Sequence, residues 1–354
     1  MKKMDCRIAE MLARQKKHVS FHTPGHKRAG ADITELSYSD DLSSPRGIIK
    51  TAEEEIARIL GAERSFILTD GSTSGVYAML AALRAAGCKQ IAVPTFSHIS
   101  VQNGCRLLGL ATVPVVQNRE RGVPVQPSEA ELARAVSEAD ALLLTSPDYY
   151  GNFPPLAAAR EICQTAGKPL AIDGAHGGHL HFTSLHAGKY ADLWVDGVHK
   201  SLPAMTQGAV VSAKSVRFSG LLAESVKLFR TSSPSYPIMA SVEYAVKYPR
   251  NEKIEHAAEA LKARVGAYPN GDWTKLLVPF GTQADAAQRA LESRGVYAEF
   301  NDGNYLCFYL SPCTKARELK KLERLLRGLP RESVRENGAC EAYGCEFLRG
   351  DRKE

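Results

Sequence analysis

Seven short apolar segments, rich in β-branched residues, recur between residues 64 and 212 of this chain. Stretches with helical character or turn residues, such as GVYAMLAALRAAG and LAAAREICQTAG, lie between most of them. This alternation is typical of a mainly parallel sheet covered by helices on both faces, and it predicts the α/β class. The seven predicted strands are SFILT, QIAVP, ATVPVV, ALLLTS, PLAID, DLWVD and GAVVSA.

The last two predicted strands are joined only by GVHKSLPAMTQ, residues 197–207. This connection is too short for a helical crossover, so GAVVSA is expected to run antiparallel to DLWVD. The sequence therefore predicts a mixed sheet of seven strands that is parallel for the most part.

The pattern changes at about residue 252, where helical stretches alternate with TKLLVPF, VYAEF and NYLCFYL. This change favours a small α+β unit that follows the large sheet. Disorder is expected for the charged, weakly periodic C-terminal tail. The predicted division is an N-terminal arm over 1–48, a large domain over 49–245, a small C-terminal α+β domain over 246–330 and a tail over 331–354.

The composition excludes several classes of function. The chain has 354 residues, of which 44% are hydrophobic and 24% charged, and no apolar run reaches the roughly 18 residues of a membrane helix. The net charge of +6 is spread among acidic residues, so neither nucleic acid nor a membrane is expected as a partner. The start, MKKMDCRIAEMLARQKK, lacks the features of a secretory signal and predicts a short amphipathic helix.

The eight cysteines are scattered and include no C-x-x-C pair. In a chain with no recognisable export signal, this usage indicates reduced thiols. A cytoplasmic location is therefore expected.

Parallel sheets of this kind bind ligands beyond the carboxyl ends of their strands, so the strand ends are the places to search for chemistry. After SFILT, the residues Gly71, Ser72 and Thr73 would present backbone N–H groups and two hydroxyls at a helix N-terminus, which suits a phosphate. The same residues also suit a plain N-cap after a glycine turn.

Three further strand ends carry reactive side chains. His98 follows QIAVP and could stack on an aromatic ligand or act as an acid or base, although a loop histidine is more often solvated. Asp173 ends PLAID and requires a partner such as an aromatic N–H⁺. Lys200 is expected at the end of DLWVD, where partial burial would make its amine a nucleophile for carbonyl compounds; the alternative is a lysine that extends to solvent.

Together these four strand ends predict one cofactor. In chain order they provide a phosphate site, an aromatic stacking group, a carboxylate and, 27 residues after Asp173, a lysine. Pyridoxal 5′-phosphate requires a site for its phosphate, a carboxylate that keeps its pyridine nitrogen protonated and a lysine that forms an imine with its aldehyde. The order and spacing of the residues fit this cofactor.

The chain also resembles the pyridoxal-phosphate-dependent ornithine/lysine/arginine decarboxylases, a branch of the aspartate-aminotransferase fold known as fold type I. The resemblance runs in order over most of residues 20–310. It rests on FHTPGHKRAG (21–30), DDLSSPRG (40–47), GAERSFILTDGSTSG (61–75), SPDYYGN (146–152), IDGAHGGHLHF (172–182), HKSLPAMTQGA (199–209) and TSSPSYPIMASVEYA (231–245).

This resemblance implies an aspartate-aminotransferase-like large domain that binds pyridoxal phosphate over 49–245. It implies decarboxylation of a small amino-acid substrate, arginine, lysine or ornithine, to an amine that feeds polyamine metabolism. It also implies a homodimer with a shared active site and no metal.

The resemblance assigns a role to each matching residue. Lys200 would form the imine, Asp173 would bind the pyridine nitrogen and His98 would stack on the ring, and these three are the expected catalytic residues. Ser232 and Ser233 would reach the cofactor of the partner subunit. The full set of implied cofactor-binding residues is Gly71, Ser72, Thr73, His98, Asp173, His176, His199, Lys200, Ser232 and Ser233.

The chain departs from the family pattern at three places. Gly197 stands where the family usually has a phosphate-binding serine, and Gly174 stands where it often has an acidic residue, a change expected to be tolerated. The proline- and glycine-rich segment of longer members has no counterpart after Leu329. A cationic substrate also needs a carboxylate near its distal charge, and Glu299 and Asp302 are the candidates.

Other functions remain open from the sequence. His176, His179 and His181 form an H-x-x-H-x-H pattern that could bind zinc in a hydrolase. The same cofactor could instead support transamination or β-elimination, because fold and cofactor do not determine which Cα bond breaks. A third alternative is a paralogue of reduced activity that acts as a partner protein.

Overall fold

The computed structural model describes residues 5–28 and 30–334. Its helices are α1 (Arg7–Arg14), α2 (Ile48–Leu60), α3 (Gly71–Ala85), α4 (Ile99–Leu108), α5 (Glu129–Glu138), α6 (Leu156–Thr165), α7 (Val198–Ser201), α8 (Val216–Phe229), α9 (Tyr236–Val246), α10 (Glu252–Arg264), α11 (Ala284–Glu292) and α12 (Ala316–Arg327). Its strands are β1 (Arg64–Leu68), β2 (Gln90–Pro94), β3 (Ala111–Val115), β4 (Arg119–Glu120), β5 (Val123–Pro124), β6 (Ala141–Thr145), β7 (Leu170–Gly174), β8 (Leu193–Asp196), β9 (Ala209–Ala213), β10 (Lys275–Pro279), β11 (Phe300–Asn301) and β12 (Tyr305–Tyr309).

The seven predicted strands form one sheet in the order β1-β9-β8-β7-β6-β2-β3. β9 is antiparallel to both of its neighbours, β1 and β8, and the other pairings in the sheet are parallel. The predicted mixed sheet and the reversed direction of GAVVSA are therefore confirmed.

Both faces of this sheet are covered, because successive side chains of each strand point to opposite sides. Leu142 and Leu144 of β6 pack in a core with α1, α2, α5, α6 and α9. Leu143, between them, packs in a second core with α3, α4 and α8. Alternate residues of one apolar strand thus stabilise two layers of helices.

The small unit that follows is built on a three-stranded antiparallel sheet in the order β10-β12-β11. It has its own core, to which α10, α11 and α12 contribute. TKLLVPF and NYLCFYL contain β10 and β12, whereas VYAEF lies almost entirely outside the strands. Only its last residue, Phe300, belongs to β11, which has two residues, and Tyr297 in the same segment is exposed.

The N-terminal amphipathic helix is present as α1, which places Ile8, Met11 and Leu12 in the core beside α9. The predicted tail lies outside the described residues from 335 onward.

In the described ranges no helix has both the length and the apolar character to cross a membrane. Cys6, Cys88, Cys105, Cys163, Cys307 and Cys313 are free thiols. The domain boundaries stay a prediction.

Candidate functional site

The carboxyl ends of three neighbouring strands bring the predicted site residues together. Thr145 pairs with Asp173, and Gly174 pairs with Asp196, so the ends of β6, β7 and β8 lie side by side. Lys200 does not lie on strand β8 as expected; it lies on the one-turn helix α7, which begins two residues after the strand ends. This turn places the lysine amine beside His176, two residues after the end of β7.

The Lys200 amine is held among aromatic groups. Its Nζ lies 3.2 Å from Nε2 of His176 and 5.5 Å from the centroid of the Tyr149 ring. Burial lowers the pKa of Lys200, and the nearby Asp173 carboxylate opposes that shift. A lysine with this environment has a larger neutral fraction than a lysine in water, as a carbonyl nucleophile requires.

His176 is the direct neighbour of that amine. Its imidazole is buried, and burial together with the Lys200 charge holds its pKa well below the ordinary value. The ring is therefore neutral at physiological pH, so its Nε2 can accept a hydrogen bond from the lysine. Its Nδ1 has no hydrogen-bond partner among the described residues.

Asp173 is 2% exposed, and its Oδ1 accepts a hydrogen bond of 3.1 Å from the Ala175 N–H. Its charge raises the pKa of both His98 and Lys200 against the effect of burial. The Asp173 carboxylate therefore acts electrostatically on the His98 ring and the Lys200 amine, which the sequence predicts to share one site with it.

His98 is the N-cap residue of α4. Its Nδ1 accepts a hydrogen bond of 3.1 Å from the Ser100 N–H, so the neutral ring carries its proton on Nε2. Burial lowers the pKa of His98. The ring stacks on Tyr149, with 6.4 Å between centroids and 20° between planes, and Tyr149 in turn lies 4.6 Å from the His176 ring.

The predicted phosphate site lies at the N-terminus of α3. Ser72 is buried, and its hydroxyl has no hydrogen-bond partner among the described residues, whereas Thr73 is exposed. The Gly71 N–H already donates to the Gln207 carbonyl at 2.9 Å. The first turn of a helix leaves N–H groups without partners inside the helix, so Ser72 and Thr73 are better placed than Gly71 to hold an anion.

Gly197 and Gly174 occupy positions where a side chain does not fit. A Cβ at residue 197 would lie 2.3 Å from the Ala175 carbonyl oxygen and 2.7 Å from the Ser72 Oγ. A Cβ at residue 174 would lie 2.8 Å from the Val195 carbonyl oxygen. The surrounding backbone therefore leaves no room for a side chain at either position, and a serine at residue 197 would require the α7 turn to shift.

The remaining predicted residues border the phosphate site. His199 bonds to the Gly208 carbonyl through both its backbone N–H, at 3.1 Å, and its Nδ1, at 3.0 Å. The Thr231 N–H donates to the carboxylate of Asp70, the N-cap residue of α3, at 3.1 Å. Ser232 and Ser233, which follow, are both exposed.

Sequence reasoning missed three residues of this region: Tyr149, Tyr309 and Lys275. Tyr309 stands edge-on to His176 with 5.6 Å between ring centroids, and the Lys275 Nζ lies 3.6 Å from the centroid of the Tyr309 ring. The only sequence signal was a lysine inside the apolar segment TKLLVPF. Nothing local indicated that it faces a tyrosine on another strand.

A cleft of about 620 Å³ begins beside His98 and Tyr149 and extends to the small unit. Its lining includes Glu299 and Asp302. The Asp302 carboxylate accepts hydrogen bonds from the N–H groups of Asn304 and Tyr305 and from the Tyr150 hydroxyl. Its bonds therefore hold a turn of the small unit in place.

Glu299 differs from Asp302 because its side chain is exposed and has no hydrogen-bond or ion-pair partner within residues 5–28 and 30–334. Its charge nevertheless raises the pKa of Lys200. Of the two predicted carboxylates, Glu299 is the one available to a ligand.

The histidine cluster does not converge on a metal site. The His179 Nε2 lies 2.9 Å from the Asp272 carboxylate, the His181 Nδ1 donates to the Gly178 carbonyl, and His176 faces Lys200. Within the described ranges no group of three or more histidine, cysteine, aspartate or glutamate residues could hold a metal ion. The zinc hydrolase alternative has no support in this geometry.

Comparisons with known proteins agree with the resemblance. A family model described as Orn/Lys/Arg decarboxylase, major domain, matches residues 24–267. The uncharacterized protein YaaO of Bacillus subtilis (strain 168) is 33% identical over 279 residues, which cover 71% of this chain and 56% of YaaO. Arginine decarboxylase of the same strain is 29% identical over 281 residues, covering 70% of this chain and 56% of the enzyme.

The solved structure of the Francisella novicida lysine decarboxylase LdcF is similar to this chain with a TM-score of 0.77 and 18% identity, covering 91% of this chain and 59% of LdcF. The expected aspartate-aminotransferase-like α/β fold is confirmed. The chain spans little more than half the length of the curated relatives it matches.

Proposed function

The chain belongs to the Orn/Lys/Arg decarboxylase family, and from this premise we propose that it binds pyridoxal 5′-phosphate and removes the α-carboxylate of a basic amino acid as CO₂. The observation that carries the proposal is the convergence of the Lys200 amine, the Asp173 carboxylate and the His98 ring at the carboxyl ends of neighbouring strands. The names of the relatives support a basic substrate, because they include arginine and lysine decarboxylases.

The residues present fit the cofactor. Ser72 places a buried hydroxyl, which has no partner among the residues the structure describes, at the N-terminus of α3, where a phosphate would supply the missing acceptor. Lys200 provides an amine whose pKa is lowered by burial. Thr73 and His199 border the same place, and Gly71 contributes the turn that leads into the helix. When bound, the cofactor supplies a sink for the electron pair left by the breaking Cα–carboxylate bond.

The side chains of this chain would divide the remaining work. Asp173 would hold a proton on the pyridine nitrogen, because a buried carboxylate stabilises a cation beside it. His98, neutral and with its proton on Nε2, would lie against the ring face. Lys200 would hold the cofactor through its Nζ, and the same amine would carry the proton that is returned to Cα. His176 would orient that amine by accepting its hydrogen bond.

We extend the proposal to a homodimer in which Ser232 and Ser233 approach the partner subunit's cofactor. Both side chains are exposed, and the Thr231 bond to Asp70 anchors their segment beside the phosphate site. The free thiols support a reducing, cytoplasmic location. The amine produced would enter polyamine metabolism.

The test of the proposal is product analysis of the purified full chain supplied with pyridoxal 5′-phosphate. Arginine, lysine and ornithine are offered in turn, and CO₂ and the corresponding amine are quantified. We expect equal amounts of CO₂ and amine from at least one substrate. A 2-oxo acid in place of CO₂ would indicate transamination, and the absence of CO₂ from all three would reject the decarboxylase assignment.

Glu299→Gln is expected to raise KM for the preferred basic amino acid about tenfold and to change kcat little. The Glu299 carboxylate lies in the cleft without a partner among the described residues, so it would bind the distal cation of the substrate equally in the ground and transition states. Steady-state kinetics measure the effect. Norleucine, which has no distal charge, provides the substrate control, and its turnover should not respond. Equal KM changes for both substrates would contradict the role of Glu299.

A further inference from the structure

Lys275, the first residue of β10, is fully buried and has no hydrogen-bond partner for its Nζ among the described residues. Burying an ammonium without a compensating partner is unfavourable, so such a lysine needs an explanation. In the antiparallel pairing of β10 with β12 it lies opposite Tyr309, and its Nζ lies 3.6 Å from the centroid of that ring. The π face of the tyrosine therefore takes the place of an acceptor atom.

A continuous series of contacts connects this lysine to the proposed site. The Tyr309 ring stands edge-on to His176, with 5.6 Å between centroids and 87° between planes. The Nε2 of His176 lies 3.2 Å from the Nζ of Lys200. Lys275 belongs to the small unit and Lys200 to the large sheet, so these contacts cross from one unit to the other.

We propose that Lys275 is a positioning residue whose positive charge, held on the Tyr309 ring, keeps the amine of Lys200 in the neutral form that reacts with a carbonyl group. The inference rests on the proposed function, because it assigns the reason why Lys200 must be neutral. Lys275 itself is not expected to contact the substrate.

The charges that surround both amines support this assignment. Burial lowers the pKa of Lys200, and Lys275 lowers it further, while Asp173 and Glu299 raise it. Burial lowers the pKa of His176, and the charges of Lys200, Lys275, His98 and His199 lower it further. Burial lowers the pKa of Lys275 itself; the groups that oppose this are Asp272, Cys307, Glu299 and Asp148.

Asp272, the acid with the largest effect on Lys275, does not neutralise it by direct pairing. The Oδ1 of Asp272 accepts hydrogen bonds from the Thr274 N–H and hydroxyl and lies 2.9 Å from the His179 Nε2. Its Oδ2 has no hydrogen-bond partner within the described ranges. Asp272 therefore opposes the effect of burial on Lys275 through its charge and without a hydrogen bond to the Lys275 Nζ.

The experiment measures the reactivity of Lys200 in the full chain freed of cofactor. The rate at which an amine reagent such as 1-fluoro-2,4-dinitrobenzene labels residue 200 is followed from pH 6 to 11 by peptide mass mapping. At an effective dielectric constant of about 20, a like charge about 10 Å from an amine shifts the pKa of that amine by about 1 unit. Lys275→Met is therefore expected to raise the midpoint of labelling by about 1 pH unit, which makes labelling about tenfold slower below the midpoint.

Three further variants separate charge from packing. Lys275→Gln, a second neutral replacement, should shift the midpoint as Lys275→Met does, and Lys275→Arg should restore the original midpoint. Lys262→Met is the matched control, because Lys262 is buried in the same unit but bonds to Glu259, Asn270 and Asp272. It should lower stability without moving the midpoint.

An unchanged midpoint in both neutral variants would overturn the inference, and so would a shift in Lys275→Arg or Lys262→Met as large as that in Lys275→Met. The measurement does not depend on cofactor binding or turnover. A chain that fails to release CO₂ would reject the proposed function and leave the electrostatic coupling of the two lysines to be judged by the labelling data alone.

Discussion

Lys200→Ala is expected to lower product formation by about 10⁴-fold or more and to remove the yellow colour that the protein should acquire with pyridoxal 5′-phosphate. No other described lysine amine contacts His176 at the ends of β7 and β8, so none can replace Lys200. Loss of a covalent catalytic group removes the reaction pathway rather than weakening it. Visible absorbance and amine release measure the two effects on the same sample.

Lys200→Arg separates charge from nucleophilicity, because a guanidinium remains protonated and cannot form the imine. It should be as inactive as the alanine variant. Lys189→Ala, at an exposed lysine after the histidine-rich segment, is the control and should keep both colour and activity. If borohydride reduction followed by mass mapping attaches the pyridoxyl group to a lysine other than residue 200, the assignment of Lys200 is wrong.

The sheet and its strand ends were predictable because both depend on short-range patterns. Apolar segments of five or six residues are buried on both faces of a parallel sheet, and the short connection before GAVVSA excluded a crossover helix. The site residues at the strand ends followed from the same reasoning, since a parallel sheet brings its carboxyl ends to one edge. Lys200 was displaced from the strand to a helical turn because periodicity does not locate an element boundary to the residue.

The second layer of the site was not predictable, because it depends on contacts between residues distant in sequence. Tyr309 and Lys275 meet through the pairing of β10 with β12, and Tyr309 reaches His176 only because the small unit packs against the large sheet. Neither residue forms a local motif. The packing around Gly197 was also not predictable from the sequence, because it depends on the distance between Gly197 and the Ala175 carbonyl.

The close approach of the Ala175 carbonyl to Gly197 explains why this position does not hold the serine that is usual in the family. A serine there would require the α7 turn to move away from both Ala175 and Ser72, because its Cβ alone would overlap the Ala175 carbonyl. The buried Ser72 hydroxyl at the same place has no partner in the part of the chain that the structure describes. The phosphate site that we propose therefore depends on Ser72 and the N-terminus of α3 for its donors.

Asp173→Asn is expected to lower kcat about 10³-fold while the protein still folds. The amide has almost the size of the carboxylate and can accept the Ala175 N–H bond through its oxygen, so the end of β7 keeps its packing. It has no negative charge, however, and the pyridine nitrogen would lose the partner that keeps it protonated. Removing one preorganised electrostatic group of this kind typically costs 10² to 10³ in rate, and a buried charge belongs at the upper end of that range.

Asp196→Asn is the matched control for this prediction, because Asp196 is an equally buried carboxylate at the end of the adjacent strand β8. Its oxygens bond to the His186 Nε2 and the Trp194 Nε1, away from Lys200. Neutralising it should lower the free energy of unfolding, measured by urea denaturation, and leave kcat within a few-fold of the original. If both variants lose activity in proportion to their loss of stability, Asp173 acts through the fold. A loss of kcat confined to Asp173→Asn assigns the effect to its charge at the reacting centre.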